Sequence, residues 1–253
     1  MPGNELKVIE YILRNKSKLA FPHVGKLRKF EIPRNKKRIE ITNIKDVKKF
    51  SADDSYKKAD VFINGKGISI KQFGGNVAYN KIQRKTLFNF LNKFFTVKKT
   101  SKIIYKLDKK IIDFHSGIIK RDVQIDKIMS KKDFKIILKY LMLKGSTTKE
   151  SSFPAQLILV AKKKINSFKD FNLLNFEDYY KNYIGNIVFG IRRCWVGMLS
   201  NSEHRRALSI STDKLNKLWC FNNVSGKPRG NLWRRDFPKK KRKTVFYVNL
   251  IQN

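Results

Sequence analysis

The chain is poor in cysteine, histidine and acid. Its two cysteines cannot make a disulfide framework. Their settings, Cys194-Trp195-Val196 and Leu218-Trp219-Cys220-Phe221, predict buried thiols rather than a zinc site. The three histidines, His23, His115 and His204, lack zinc-ligand spacing, which argues against a structural zinc or a histidine-based nuclease motif. No run of about 18 apolar residues occurs and no basic amphipathic helix dominates, so no membrane partner is expected. The opening residues, Met1-Pro2-Gly3-Asn4-Glu5, lack the order of a signal peptide, and the expected location is cytoplasmic.

The shortage of acid matters most. Against 57 Lys and Arg stand 20 Asp and Glu, a net charge of +37. That excess is far beyond what solubility needs and implies a polyanionic partner, of which nucleic acid is the obvious one. With 41% hydrophobic and 12% aromatic residues in 253, the chain can bury a core as one large domain or two small ones.

Several elements follow from local pattern. Asn4 can cap a first helix with Leu6, Ile9 and Leu13 on its apolar side, Glu5 in its first turn and Glu10 beside the stripe. Phe21 to Asn35, with Pro22, Gly25 and Pro33, reads as irregular, and Lys37 to Thr42 as a strand. A long helix is expected over Tyr79 to Phe95, with Lys81, Arg84 and Lys85 near its start, where only a neighbouring anion would suit them. Ser130 to Asp133 resembles a capping box that opens a helix through Phe134, Ile137, Leu138 and Leu141, ended by Gly145. Residues 145–154 form the best internal boundary, and Gln156 to Ala161 reads as a buried strand or the start of a buried helix. Strand-like runs follow at 186–191, 207–211, 218–221 and 245–250. Lys227 and Arg229, between Gly226 and Gly230, and then Arg234, Arg235 and the basic run Pro238 to Lys243 suit DNA phosphates.

Lys57 to Gln72 is the stretch that carries chemistry. Asn64-Gly65-Lys66-Gly67 separates two apolar runs and predicts a β-hairpin. With Gly65-Lys66 as the loop, Asp60 faces Lys71. Moving the loop to Asn64-Gly65 shifts the partners but keeps the faces: Val61, Ile63, Ile68 and Ile70 on one, and Asp60, Phe62, Ser69 and Lys71 on the other. The plain alternative for Asp60 and Lys71 is a solvated cross-strand ion pair worth up to about 1 kcal/mol.

An Asp, a hairpin, a polar residue two before a Lys and then a basic helix resemble the PD-(D/E)xK nuclease superfamily, in particular type II restriction endonucleases. The motif stands here as Asp60 and Ser69-Ile70-Lys71, with Glu5 or Glu10 on the helix before it. Ser69 occupies the position where that family usually has an acid, and Ala59 the position of its proline. The resemblance implies an α/β, restriction-endonuclease-like fold with a central mixed β-sheet flanked by helices. It implies one domain over 1–253, with a catalytic core at 1–150 and a DNA-gripping, recognition half at 151–253. Asp60 with Glu5, and Glu10 in reserve, would bind Mg²⁺. Asp60, Lys71, Glu5 and Ser69 would form the catalytic set. Gln72, Asn80, Gln83, Arg84, Lys227, Arg229, Arg234 and Arg235 would contact DNA. The expected partner is double-stranded DNA, cut by a homodimer or by a monomer acting twice, with a methyltransferase encoded nearby. A non-catalytic, ribosomal-type nucleic-acid-binding protein and a repair or structure-specific nuclease of the same superfamily stand as alternatives.

Overall fold

The computed structural model describes residues 5–48, 57–73, 78–183, 187–226 and 232–252. The chain is mixed α/β and folds as two compact units, each built from separate stretches. The first takes in residues up to Ala78 and then Lys135–Asn186, and the second takes in Tyr79–Phe134 and Ile187–Ile251. Among the described residues, no helix is long and apolar enough to cross a membrane.

The first unit opens with α1 (Glu5–Arg14), which buries Val8, Ile9 and Ile12 and carries Glu5 in its first turn. A short hairpin, β1 (Ala20–Phe21) with β2 (Gly25–Lys26), precedes β3 (Phe30–Arg34), β4 (Lys37–Glu40) and the brief α2 (Ile44–Lys48). The segment expected to be irregular therefore contains a strand with Phe30, Glu31, Ile32 and Pro33 all buried. Pro33 is tolerated because β3 meets its inner neighbour only at Phe30 and Glu31, so the missing N–H at 33 costs no bond on that side.

That neighbour is β5 (Val61–Ile63), which turns into β6 (Lys66–Gln72). The loop is Asn64-Gly65, with φ of +50° and +79°, the left-handed pair that matches strand twist in a two-residue turn. The pairing is Val61 with Ile68, Phe62 with Gly67 and Ile63 with Lys66. The Gly65-Lys66 loop, and with it Asp60 directly opposite Lys71, is corrected by two residues. The two faces survive the shift, because Val61, Ile63, Ile68 and Ile70 all enter the core with α1. Gly67 is required where it stands: a Cβ there would lie 2.5 Å from the Pro154 carbonyl oxygen.

After β6 the chain enters the second unit through β7 (Ala78–Ile82), α3 (Arg84–Leu91), α4 (Val97–His115) and β8 (Asp122–Gln124). The single helix expected over 79–95 is thus a strand and a short helix. Gln83 is extended, with φ −106° and ψ 151°, and breaks the two apart. Helix α5 (Lys131–Leu143) follows, with the Asp133 N–H donating to Ser130 Oγ at 3.1 Å, as its capping pattern predicted. It leads back to the first unit and to β9 (Leu157–Ala161), β10 (Phe171–Leu174) and α6 (Phe176–Tyr183).

Strand β9 pairs with β6 in parallel, from Ile68 with Leu157 to Gln72 with Ala161, and all five of its residues are buried. The first sheet has the order β10-β9-β6-β5-β3-β4 and is antiparallel except at β6 and β9. This explains why one division near residue 150 does not describe the chain. A parallel neighbour needs a long crossover, so the strand that completes the sheet beside Lys71 comes from beyond residue 150.

The second unit is completed by β11 (Ile187–Val196), α7 (Asn201–Ser211), β12 (Cys220–Phe221) and β13 (Lys243–Gln252), in the order β12-β13-β11-β8 with β7 also on β13. Residues 207–211 are helical, not a strand. His204, Ala207 and Ile210 are buried at spacings of three while Leu208 is exposed, a helical face that the short apolar run concealed. Both cysteines are free thiols; Cys194 is buried as expected, whereas Cys220 is only half-buried.

Candidate active site

The site is built where the hairpin strand begins. Just before β5 the chain is pinned to the loop ahead of β9. The Lys58 N–H donates to Ser151 Oγ at 3.0 Å, and the Ala59 N–H donates to the Phe153 carbonyl at 2.9 Å. Asp60 follows at a bend. Its N–H donates to the Ile68 carbonyl at 2.8 Å, and its Oδ2 accepts the Ile70 N–H at 2.7 Å. The carboxylate thus takes a ladder position that a backbone carbonyl would otherwise fill. Ser69, only 1% exposed, favours the charged form of the Asp60 carboxyl.

Glu5 and Lys71 complete the cluster. Burial, and then the charge of Asp60, raise the Glu5 carboxyl from its usual 4.5 to about 7, against the opposing pull of Lys71 and Lys57. The Asp60 carboxyl is also raised, by burial, although Lys71, the Ile70 N–H, Lys57 and Ser69 favour its charged form. Burial and the nearby Lys71 lower the Lys58 amine to about 8, with Asp60 opposing. Two carboxylates and three amines therefore share one partly desolvated field. Lys57 and Lys58 were missed in the sequence, where the only signal was two lysines immediately before Ala59-Asp60.

Glu5 is the helix carboxylate that joins this field. Glu10 lies five residues on, about 140° further round the helix, so the reserve ligand is not brought to Asp60. Gln72 shares the face of Ile68 and Ile70, opposite Ser69 and Lys71, by strand alternation. Mg²⁺ suits the donor set that remains. It is a hard ion that is usually held by only one or two carboxylates and keeps several waters, and here burial disfavours the charged form of both Glu5 and Asp60, a cost that a cation would relieve. Among the described residues, no three of His, Cys, Asp and Glu cluster as a metal cage.

The described residues among the expected DNA contacts outside the hairpin, Asn80, Gln83, Arg84, Arg234 and Arg235, belong to the second unit, and several have other work. The Arg84 Nε donates to Asp108 at 2.8 and 3.1 Å, and Asp108 also accepts the Nε1–H of fully buried Trp219 at 2.7 Å. Arg84 is therefore a structural ion pair, which answers the puzzle of a cation at a helix start. Arg84→Ala is expected to cost about 3 kcal/mol of stability by stranding Asp108, with duplex affinity unchanged. Denaturant midpoints and a binding titration check this, and weakened binding at unchanged stability would return Arg84 to the DNA surface. Arg234 is paired with Asp236 at 2.9 Å, while Arg235 is exposed. The Gln83 carbonyl accepts the Thr86 N–H at 3.2 Å, in the first turn of α3. Asn80 is described as backbone only, on β7, and Lys227 and Arg229 lie outside the described residues.

Comparison of the chain with protein-family models, with curated proteins and with solved structures finds no match.

Proposed function

We propose that the chain is a Mg²⁺-dependent endodeoxyribonuclease of the restriction type, which cuts both strands of duplex DNA at a short specific sequence. The observation that carries this reading is the convergence of Glu5, Asp60, Ser69 and Lys71 at one end of a hairpin. The placement of β6 against a parallel strand, β9, within a mixed sheet supports a restriction-endonuclease-like sheet. The charge of +37 supports a polyanionic substrate.

Asp60 and Glu5 would hold the Mg²⁺, which when bound would acidify a water and offset charge on the phosphate. The Ile70 N–H fixes the Asp60 carboxylate in place, and the Ser69 hydroxyl would favour its charged form. Lys71 supplies a positive charge beside the carboxylates, where negative charge develops on the phosphate oxygens. The sequence motif left open which group stands in for an acid at Ser69. In this reading none is needed, because two carboxylates suffice and Ser69 favours the charged form of one of them.

Incubating the purified protein with plasmid and phage DNA, with and without Mg²⁺, tests the proposal. Discrete fragments support restriction, and a smear supports a less specific nuclease of the same superfamily. Binding without cleavage across metals and salts supports the ribosomal-type alternative. Lys71→Ala is expected to lower cleavage by on the order of 10²–10⁴-fold with duplex binding retained, and normal cutting by that variant rejects the site.

A further inference from the structure

At the turn end of the same hairpin lies a concavity lined largely by basic residues, separate from the carboxylates. It measures about 440 Å³ and is lined by Val24, Gly25, Lys26, Arg28, Lys29 and Asn64. Its walls are tied down by one side chain. The Asn64 Oδ1 accepts the N–H groups of Arg28 and Lys29 at 2.9 and 3.0 Å, and its Nδ2 donates to the carbonyls of Val24 and Lys26 at 2.9 and 2.8 Å. The Asn64 N–H donates to the Lys29 carbonyl at 2.9 Å, and Lys66 Nζ donates to the His23 carbonyl at 2.7 Å. The carbonyls of four rim residues are thus engaged by donors, which reduces their repulsion of an anion. None of the lining residues is acidic. The neighbouring acid, Glu31, is buried and paired with exposed Lys29 at 2.9 Å, leaving Lys26 and Arg28, both exposed, as the cradle cations outside that pair. Gly25, with φ +73° and open space around it, leaves room for a ligand at the rim.

We propose that this cradle binds a phosphate group, held by Lys26 and Arg28 on a floor fixed by Asn64. Asn64 is four residues from Asp60, about 13 Å along an extended strand. A duplex backbone spans that distance in a few nucleotides, so the phosphate is one flanking the bond to be cut. Only that last identification rests on the nuclease reading, since the chemistry of the cradle would also accept a free nucleotide or inorganic phosphate.

The test is made without Mg²⁺, so it does not depend on cleavage. Binding of a duplex oligonucleotide is titrated against salt for the wild type, for Lys26→Gln/Arg28→Gln, and for Lys163→Gln/Lys164→Gln, which removes the same charge from an exposed loop of the same unit. Inorganic phosphate and AMP are titrated in parallel by calorimetry. A loss of about tenfold in duplex affinity, with the salt slope reduced by about 2 in the cradle variant and by less in the control, supports a backbone phosphate. Phosphate or AMP binding that the cradle variant alone loses supports the cradle with a free ligand. Equal behaviour of the two variants in both assays overturns the proposal, as does the absence of any phosphate or duplex binding. None of these results alters the cleavage test of Asp60 and Lys71, so the two readings fail separately.

Discussion

Asp60→Asn is expected to abolish Mg²⁺-dependent cleavage, by on the order of 10³-fold or more, while making the metal-free protein more stable. The two effects have one cause. The Asp60 and Glu5 carboxyls are both raised by burial, and Asp60 contributes to the rise at Glu5. A carboxyl whose folded pKa lies above its unfolded value binds more protons in the folded state. Stability is therefore present below the unfolded pKa and is lost as pH rises through the folded one. For Glu5 that window runs from the usual 4.5 to about 7. In EDTA the wild-type Tm should fall as pH rises across this window. In Asp60→Asn the fall should be smaller, because the amide removes one charge and eases the other. Thermal melts at pH 5 and pH 7.5 measure both. If Asp60→Asn melts lower than wild type at pH 7.5 and still cleaves, the carboxylate is structural and the proposed site is lost.

The legible part of this site was the part encoded locally. Alternation in Val61 to Ile70 identified the two faces of the hairpin whatever its loop, because a shift of two residues preserves side-chain direction. The loop itself depended on Asn64, whose left-handed φ and four side-chain hydrogen bonds to residues 24–29 are tertiary facts. The role of Ser69 was hidden for a similar reason. A serine in place of an acid suggests a missing ligand, whereas here a buried hydroxyl favours the charged Asp60 carboxylate. Arg84 looked like a phosphate contact because its partner, Asp108, is 24 residues away. The helix at 201–211 was misread because Ala207, Leu208 and Ile210 fit either period in so short a run. The interleaving of the two units was least visible of all, since nothing local tells β9 to pair with β6.

Ser69→Asp is expected to have the other large effect, and it separates a metal site from a buried salt-bridge cluster. Ser69 is 1% exposed and favours the charged Asp60 carboxylate, so an aspartate there would set a third carboxylate among Glu5 and Asp60. The metal-free variant should lose about 3–5 kcal/mol of stability, the cost of an uncompensated buried charge. It should also respond far more to Mg²⁺ than wild type does, because ligand binding stabilises the folded state by RT ln(1 + [L]/Kd) and a third hard oxygen ligand lowers Kd. The Mg²⁺-dependent rise in Tm should grow with pH, since the cation competes with the protons that the carboxyls retain near neutrality. A cluster that merely balances charges predicts otherwise. Lys57, Lys58 and Lys71 would absorb the new aspartate, the metal-free variant would lose little, and Mg²⁺ would move its Tm no further than it moves that of wild type. Melts of both proteins in EDTA and across Mg²⁺ concentrations distinguish the two, and the second pattern would remove Mg²⁺ from the site while leaving the fold of the hairpin as described.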